Sequence, residues 1–219
     1  MKDFTRTSTI TLEEVRERIE GTDLIPSREV LKRGSAAQFA ILLREGIHTL
    51  DELRAAVRTA KRMEGLAARL GLDVEYMTQL KREIESWAPK PVPLAEFAEL
   101  AGEAVAALEE MGIRNTIQLY EAAGSAELAS IGGMDGQVEK LVQLAELTRI
   151  QWVNGTFARM LLEAGYDSPA SLEAADAESV CRAVAEVNAR GRYFNGKIGV
   201  RDMRRLIHAA GYVGGRGSE

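Results

Sequence analysis

The chain has 219 residues, of which 46% are hydrophobic and 28% charged, with a formal net charge of −5. That is enough apolar material for one large or two small cores. No apolar run approaches the ~20 residues a membrane-spanning helix needs, Met1–Glu20 lacks the apolar core of a signal peptide, and a single cysteine makes no internal disulfide, so the expectation is a cytoplasmic protein with no membrane partner.

In chain order, Thr11-Leu12-Glu13-Glu14 is the first helix start, a capping box in which hydroxyl and carboxylate satisfy free backbone N–H groups reciprocally. A helical stretch from Leu31 runs to Gly46, and Thr49-Leu50-Asp51-Glu52 repeats the capping box before an apolar stripe at Leu50, Leu53 and Val57. Asp73 caps a helix extending to about Trp87. Pro89-Lys90-Pro91-Val92-Pro93 cannot continue a helix and reads as a stiff linker, or as a rigid loop inside one domain. Beyond it lie a helix ending at Gly112, a stripe at Ile117, Leu119 and Tyr120, a helix ending at Gly165, and a start at Ser168-Pro169 followed by Leu172 and Val180. No sustained apolar alternation is flanked by hairpin turns, so no strand is predicted. The expected organisation is an N-terminal helical part over 1–88, a linker over 89–93, a repeat domain over 94–213 and a tail over 214–219.

Five helical runs end in glycine followed by an apolar residue: Gly46-Ile47, Gly71-Leu72, Gly112-Ile113, Gly165-Tyr166 and Gly211-Tyr212. Glycine just past a helix end takes the left-handed conformation, and the next residue folds back on an apolar residue five positions earlier. Those positions hold Leu42, Ala67, Leu108, Leu161 and Ile207. The pattern predicts an all-α fold of short helices joined by tight turns. Phe97 through Gly112 aligns without gaps on Ile150 through Gly165, and Leu31 through Gly46 matches the same frame more weakly. The unit is helix, turn, helix. The uneven spacing of its glycines argues for a compact array of hairpins over a strict solenoid.

These residues resemble the helix-hairpin-helix superfamily, whose hairpin reads apolar-x-Gly-apolar-Gly-x-x-x-Ala-x-x-Leu. Ile150 through Leu161 fits it at the apolar and alanine positions, and Gly165 through Leu172 is similar to the usual continuation. The chain is most similar to a bacterial family of tandem helix-hairpin-helix repeats, domain of unknown function 4332, through the order of its hairpins, Ala145–Ile150 and the tail from Val187 to Ala209. The resemblance covers roughly residues 95–213, with a diverged copy over 30–88. It implies a fold, and for DNA-binding members a glycine turn whose N–H groups approach a phosphate. Here Trp152 and Asn154 stand in the two glycine places, and in Ile131-Gly132-Gly133-Met134-Asp135-Gly136 the second place is Asp135.

Charge is distributed unevenly: net +1 over residues 1–93, −11 over 94–187 and +5 over 188–219. The middle of the chain repels nucleic acid, and only the ends attract it. Arg190, Arg192, Lys197, Arg201, Arg204 and Arg205, with Tyr193 and Phe194 among them, read either as a nucleic-acid site or as a solvated helix face. Arg54, Arg58, Lys61 and Arg62 share one helix face with the same two readings. His48 reads as an exposed turn residue, Cys181 as a small buried apolar group, and Trp152 as a junction filler or, if exposed, a partner site. Gly46, Gly112, Trp152, Asn154 and Gly165 are the expected hairpin turns. No catalytic set, metal set or cofactor motif is legible. The expected function is a non-catalytic interaction or scaffold protein that binds a protein partner or itself, with DNA or RNA binding as the alternative.

Overall fold

The computed structural model describes residues 10–129, 131 and 135–213. Among the described residues the fold is all-α, with thirteen α-helices, two 3-10 helices and no strand. No described helix is long and apolar enough to cross a membrane. The residues group into two units, one ending at Ala88 and one beginning at Pro89.

The first unit contains α1 (Leu12–Gly21), a 3-10 helix (Pro26–Lys32), α2 (Ser35–Arg44), α3 (Leu50–Ala56), α4 (Ala60–Leu70) and α5 (Val74–Ser86). Helix α1 packs on α2 and α3, and α5 packs on α4 and the 3-10 helix. Leu12, Phe39, Leu42, Leu53, Leu80 and Ile84 form the centre of this core. Trp87 belongs to it as well: its Nε1–H donates to the buried Glu83 carboxylate at 2.9 Å, and the Arg18 guanidinium lies 4.2 Å from its ring centre. The Arg28 guanidinium donates to the other Glu83 oxygen.

The second unit contains a 3-10 helix (Leu94–Phe97), α6 (Ala98–Glu110), α7 (Thr116–Ala122), α8 (Ala126–Ala129), α9 (Asp135–Leu147), α10 (Gly155–Glu163), α11 (Pro169–Glu173), α12 (Ala177–Gly191) and α13 (Val200–Ala210). Helix α9 packs on α6, α7 and α10; α12 packs on α10 and α13; α13 also packs on α11. Phe97, Leu108, Leu144, Leu161, Val184 and Leu206 run through this core. The proline-rich stretch is only partly a connector. Val92 is buried in this core, and its N–H and carbonyl bond to the hydroxyl and N–H of Thr116.

Four of the five glycine stops form as the chemistry predicts. Gly46, Gly71, Gly112 and Gly165 have φ of 86, 67, 83 and 92°. The N–H groups of Ile47, Leu72, Ile113 and Tyr166 donate to the carbonyls of Leu42, Ala67, Leu108 and Leu161 at 2.9–3.2 Å. Gly211 departs from the rule. Its φ is −60°, and Tyr212 donates to Ala209 instead of Ile207. The chain there tightens into a last right-handed turn through Val213, whose carbonyl accepts from Arg149 at 3.0 Å.

The start signals also form. Thr11 and Thr49 make reciprocal capping boxes with Glu14 and Glu52, Asp73 accepts from Glu75 and Tyr76, and Ser168 caps α11 with Pro169 at its first position. Hydrogen bonds from the Thr11 backbone to Glu14, and from the His48 and Thr49 backbone to Glu52, hold both carboxyls below their ordinary value of 4.5. A depressed carboxyl stabilises the folded state fully above its unfolded value and loses that contribution as pH falls through the folded one. The thermal midpoint of the protein is therefore expected to decline as pH drops below 4.5. A Glu14→Gln, Glu52→Gln double variant is expected to decline less. Equal declines in a calorimetric pH series would show that the boxes are unlinked to acid stability.

Two backbone features recur along the chain. In the first unit Leu12 N–H donates to His48 O at 2.7 Å and Leu50 N–H to Ile10 O at 2.9 Å. In the second, Leu94 N–H donates to Arg114 O and Thr116 N–H to Val92 O, both at 2.9 Å. Both pairs are isolated antiparallel bridges that clamp a helix start to the residues following a glycine stop. Within the second unit, Ala101 breaks α6 with φ −152° and ψ 49°. Ala101 and Asn154 occupy matching places in the sequence alignment, and both segments are non-helical just before the internal glycine.

Candidate functional site

The hairpin joining α9 to α10 turns through Ile150–Val153, closed by Val153 N–H donating to Ile150 O at 3.1 Å. Its third residue, Trp152, sits at φ 71°. Turns of this shape ordinarily take glycine or asparagine there, because a Cβ crowds the backbone in the left-handed region. Asn154 does not share that conformation. Its φ is −93°, and its side-chain oxygen caps α10 by accepting from Phe157 N–H at 2.9 Å. The cap is the commoner use of asparagine before a helix, and it takes precedence over the left-handed alternative.

The α10 start is crowded by the chain itself. A Cβ on Gly155 would lie 2.6 Å from a Glu96 carboxylate oxygen and 2.9 Å from Val92 Cγ1. The glycine therefore serves close packing of α10 against the preceding segment, with a carboxylate beside the positive helix end. The other glycine turn, residues 132–134 with the Asp135 side chain, lies outside the described residues.

Trp152 is 41% exposed, and the Arg205 guanidinium from α13 lies 4.6 Å from its ring centre. Such stacking contributes about 0.5–2 kcal/mol. Arg205 Nε is buried and has no hydrogen-bond partner among the described residues. Trp152 forms one rim of a groove of about 420 Å³ lined by Phe157, Met160, Ile198, Met203 and Leu206. Tyr193, Phe194 and Lys197 approach from the segment between α12 and α13.

That segment is positioned by specific bonds. Asn188 accepts from Phe194 N–H and donates to Phe194 O, both at 2.8 Å, which leaves the Phe194 ring 51% exposed. Tyr193 donates to Glu163 at 2.8 Å, and Arg159 donates to the same carboxylate at 2.9 Å while reaching Glu99 at 3.2 Å. Burial pushes the Tyr193 phenol up, and its bond to Glu163 adds to the effect. The bond to Glu163 raises Arg159 in turn.

The basic residues divide into groups. Arg205 and Lys197 line the groove; Arg190, Arg192, Arg201 and Arg204 are exposed and are not part of its lining. In the first unit the basic run does not share one helix face as expected: Arg54 is on α3, Arg58 in the connector, and Lys61 and Arg62 on α4. Arg54 donates to the Ile84 carbonyl at the end of α5, Arg62 to Ala55 at the end of α3, and Lys81 to Arg58 O just beyond it. Cationic side chains satisfy helix-end carbonyls in this way. Arg58 and Lys61 are exposed. His48 is exposed in its turn, whereas Cys181 is only partly buried, its Sγ 3.6 Å from the Ile198 carbonyl. No group of three metal-ligating side chains forms among the described residues. Pairing of Trp152 with Arg205 was not legible in the sequence, since nothing local joins a hairpin turn to a helix so distant in the chain.

Comparison with curated proteins and with solved structures finds no match. Residues 99–211, just over half of the chain and the span that builds the groove, match the family described as Domain of unknown function (DUF4332), and the chain belongs to that family.

Proposed function

We propose that this protein is a non-catalytic interaction module of tandem helix-hairpin-helix-like repeats that docks another protein. The observation that carries this reading is Trp152: an exposed indole held at φ 71°, stacked by Arg205, at the hairpin position where a phosphate-binding turn has glycine. A non-glycine residue in this region costs about 1–3 kcal/mol. Tryptophan and arginine, moreover, are the side chains richest in binding energy at protein interfaces. Bulk at the turn and Glu96 beside the start of α10 both oppose close approach of a phosphate. The second reading, nucleic-acid binding, rests on the exposed Arg190, Arg192, Lys197, Arg201 and Arg204, with Tyr193 and Phe194 among them in the sequence, and on the exposed Arg58 and Lys61 of the first unit.

Selection of a random twelve-residue peptide library on the full chain tests the first reading. The expected result is a set of peptides sharing a motif and binding at about micromolar affinity. Fluorescence anisotropy with single- and double-stranded DNA tests the second. The expected result there is no binding tighter than about micromolar at low salt. Tight DNA binding with a steep salt slope would replace the interaction reading, because phosphate contacts release counterions.

A further inference from the structure

We infer that the groove between α10 and α13 binds a short acidic peptide segment, seating one aromatic side chain between Trp152 and Phe194 with an adjoining carboxylate on Arg205 and Lys197. This rests on the interaction reading and names its ligand class. Three independent observations converge on it.

The first is shape. A recess of about 420 Å³ is at the low end of ligand pockets, large enough for one bulky side chain and its flanks. Its floor includes Met160 and Met203, whose unbranched side chains adapt to an inserted ring. Trp152 and Phe194 are two of the few exposed large hydrophobic residues among those described, and both border this recess. The second is presentation. The Phe194 backbone is fixed by paired bonds to Asn188 and that of Trp152 by the closed turn, so little loop entropy remains to be lost on docking.

The third is charge. Lys197, Arg205 and Asp202 are the charged groups lining the recess, giving it a net charge of +1. Asp202 is already engaged, accepting from Gly199 N–H at 3.1 Å to start α13. Neither Lys197 nor Arg205 has an ion-pair partner among the described residues. One incoming carboxylate complements this site. A polyanion fits it less well, since Asp202 lines the recess, Glu163 holds Tyr193 at it, and the segment from 94 to 187 carries −11.

The test uses the full chain labelled with ¹⁵N and the capped pentapeptide acetyl-Gly-Asp-Phe-Asp-Gly-amide. Trp87 and Trp152 give two indole N–H resonances, assigned by the loss of one in Trp152→Gly. The expected result is a saturable shift of the Trp152 resonance with Trp87 unmoved. Replacing both peptide aspartates by asparagine is expected to weaken binding roughly tenfold or more, the usual scale for losing a charge-assisted bond. Arg205→Gln is expected to weaken it to a similar extent, and Trp152→Gly to remove it. If Trp152→Gly does not fold, the Arg205→Gln protein and the asparagine peptide decide the matter alone. Equal affinity for the aspartate and asparagine peptides would overturn the proposal. So would a shift produced by decathymidylate and not by the peptide, or no shift with either. Library peptides that bind while leaving the Trp152 resonance unmoved would sink the groove assignment and keep the interaction reading. Failure of the library selection would sink that reading itself.

Discussion

Replacing Glu83 with alanine is expected to destabilise the first unit by about 3 kcal/mol, the low end for removing one partner of a buried ion pair. Glu83 is 1% exposed and sits between two donors, the Arg28 guanidinium and the Trp87 indole N–H. Alanine would leave the indole N–H buried without its acceptor and the guanidinium without its counter-charge. Arg28 keeps 19% of its side-chain exposure, so water can partly rehydrate it, which is why the low end applies. Glu83→Gln retains an acceptor for Trp87 and is expected to cost only about 1–2 kcal/mol. Urea denaturation followed by fluorescence checks both, since Trp87 reports on its own unit. A loss under about 1 kcal/mol for the alanine variant would show the pair to be screened like a surface one.

Gly155→Val is expected to destabilise the second unit by about 2–3 kcal/mol through overpacking. The added Cβ would meet a Glu96 oxygen at 2.6 Å, Val92 Cγ1 at 2.9 Å and Phe97 Cζ at 3.4 Å. Glu96 can swing away; Val92 and Phe97 are buried and cannot. The glycine at the matching place in the other copy, Gly102, has nothing within 4 Å of its Cβ position. Gly102→Ala is expected to stabilise by about 0.5 kcal/mol, since alanine loses less backbone freedom in a helix. Opposite signs at the two aligned glycines, read as shifts in urea midpoint, would show that they sit in different packing environments. Two shifts of the same sign would refute that.

Much of the local structure was legible because the chemistry is local. Thr11, Thr49, Asp73 and Ser168 start helices by bonding to amides two or three residues away. Gly46, Gly71, Gly112 and Gly165 stop them by bonds that span five residues. Gly211 has the same local pattern and a different outcome. The chain continues right-handed to Val213, where a carbonyl is held by Arg149 from another hairpin. The basic run from Arg54 to Arg62 is a comparable case. A single helix face was expected, but the run is divided between α3 and α4, and the carbonyls that Arg54 and Arg62 satisfy lie on neighbouring elements.

By itself, then, the sequence determined an all-α chain, the positions of its caps and stops, and the frame repeated between Phe97 and Ile150, all set by interactions within about five residues. Tertiary structure decided which of those features became a site. Trp152 is a turn residue in the sequence. It becomes the rim of a recess only because α13 brings Arg205 onto its ring and Asn188 fixes the Phe194 backbone at the edge of the same recess. Contacts between residues so far apart depend on how helices pack, and helix packing is specified by the whole core and by no single segment of it.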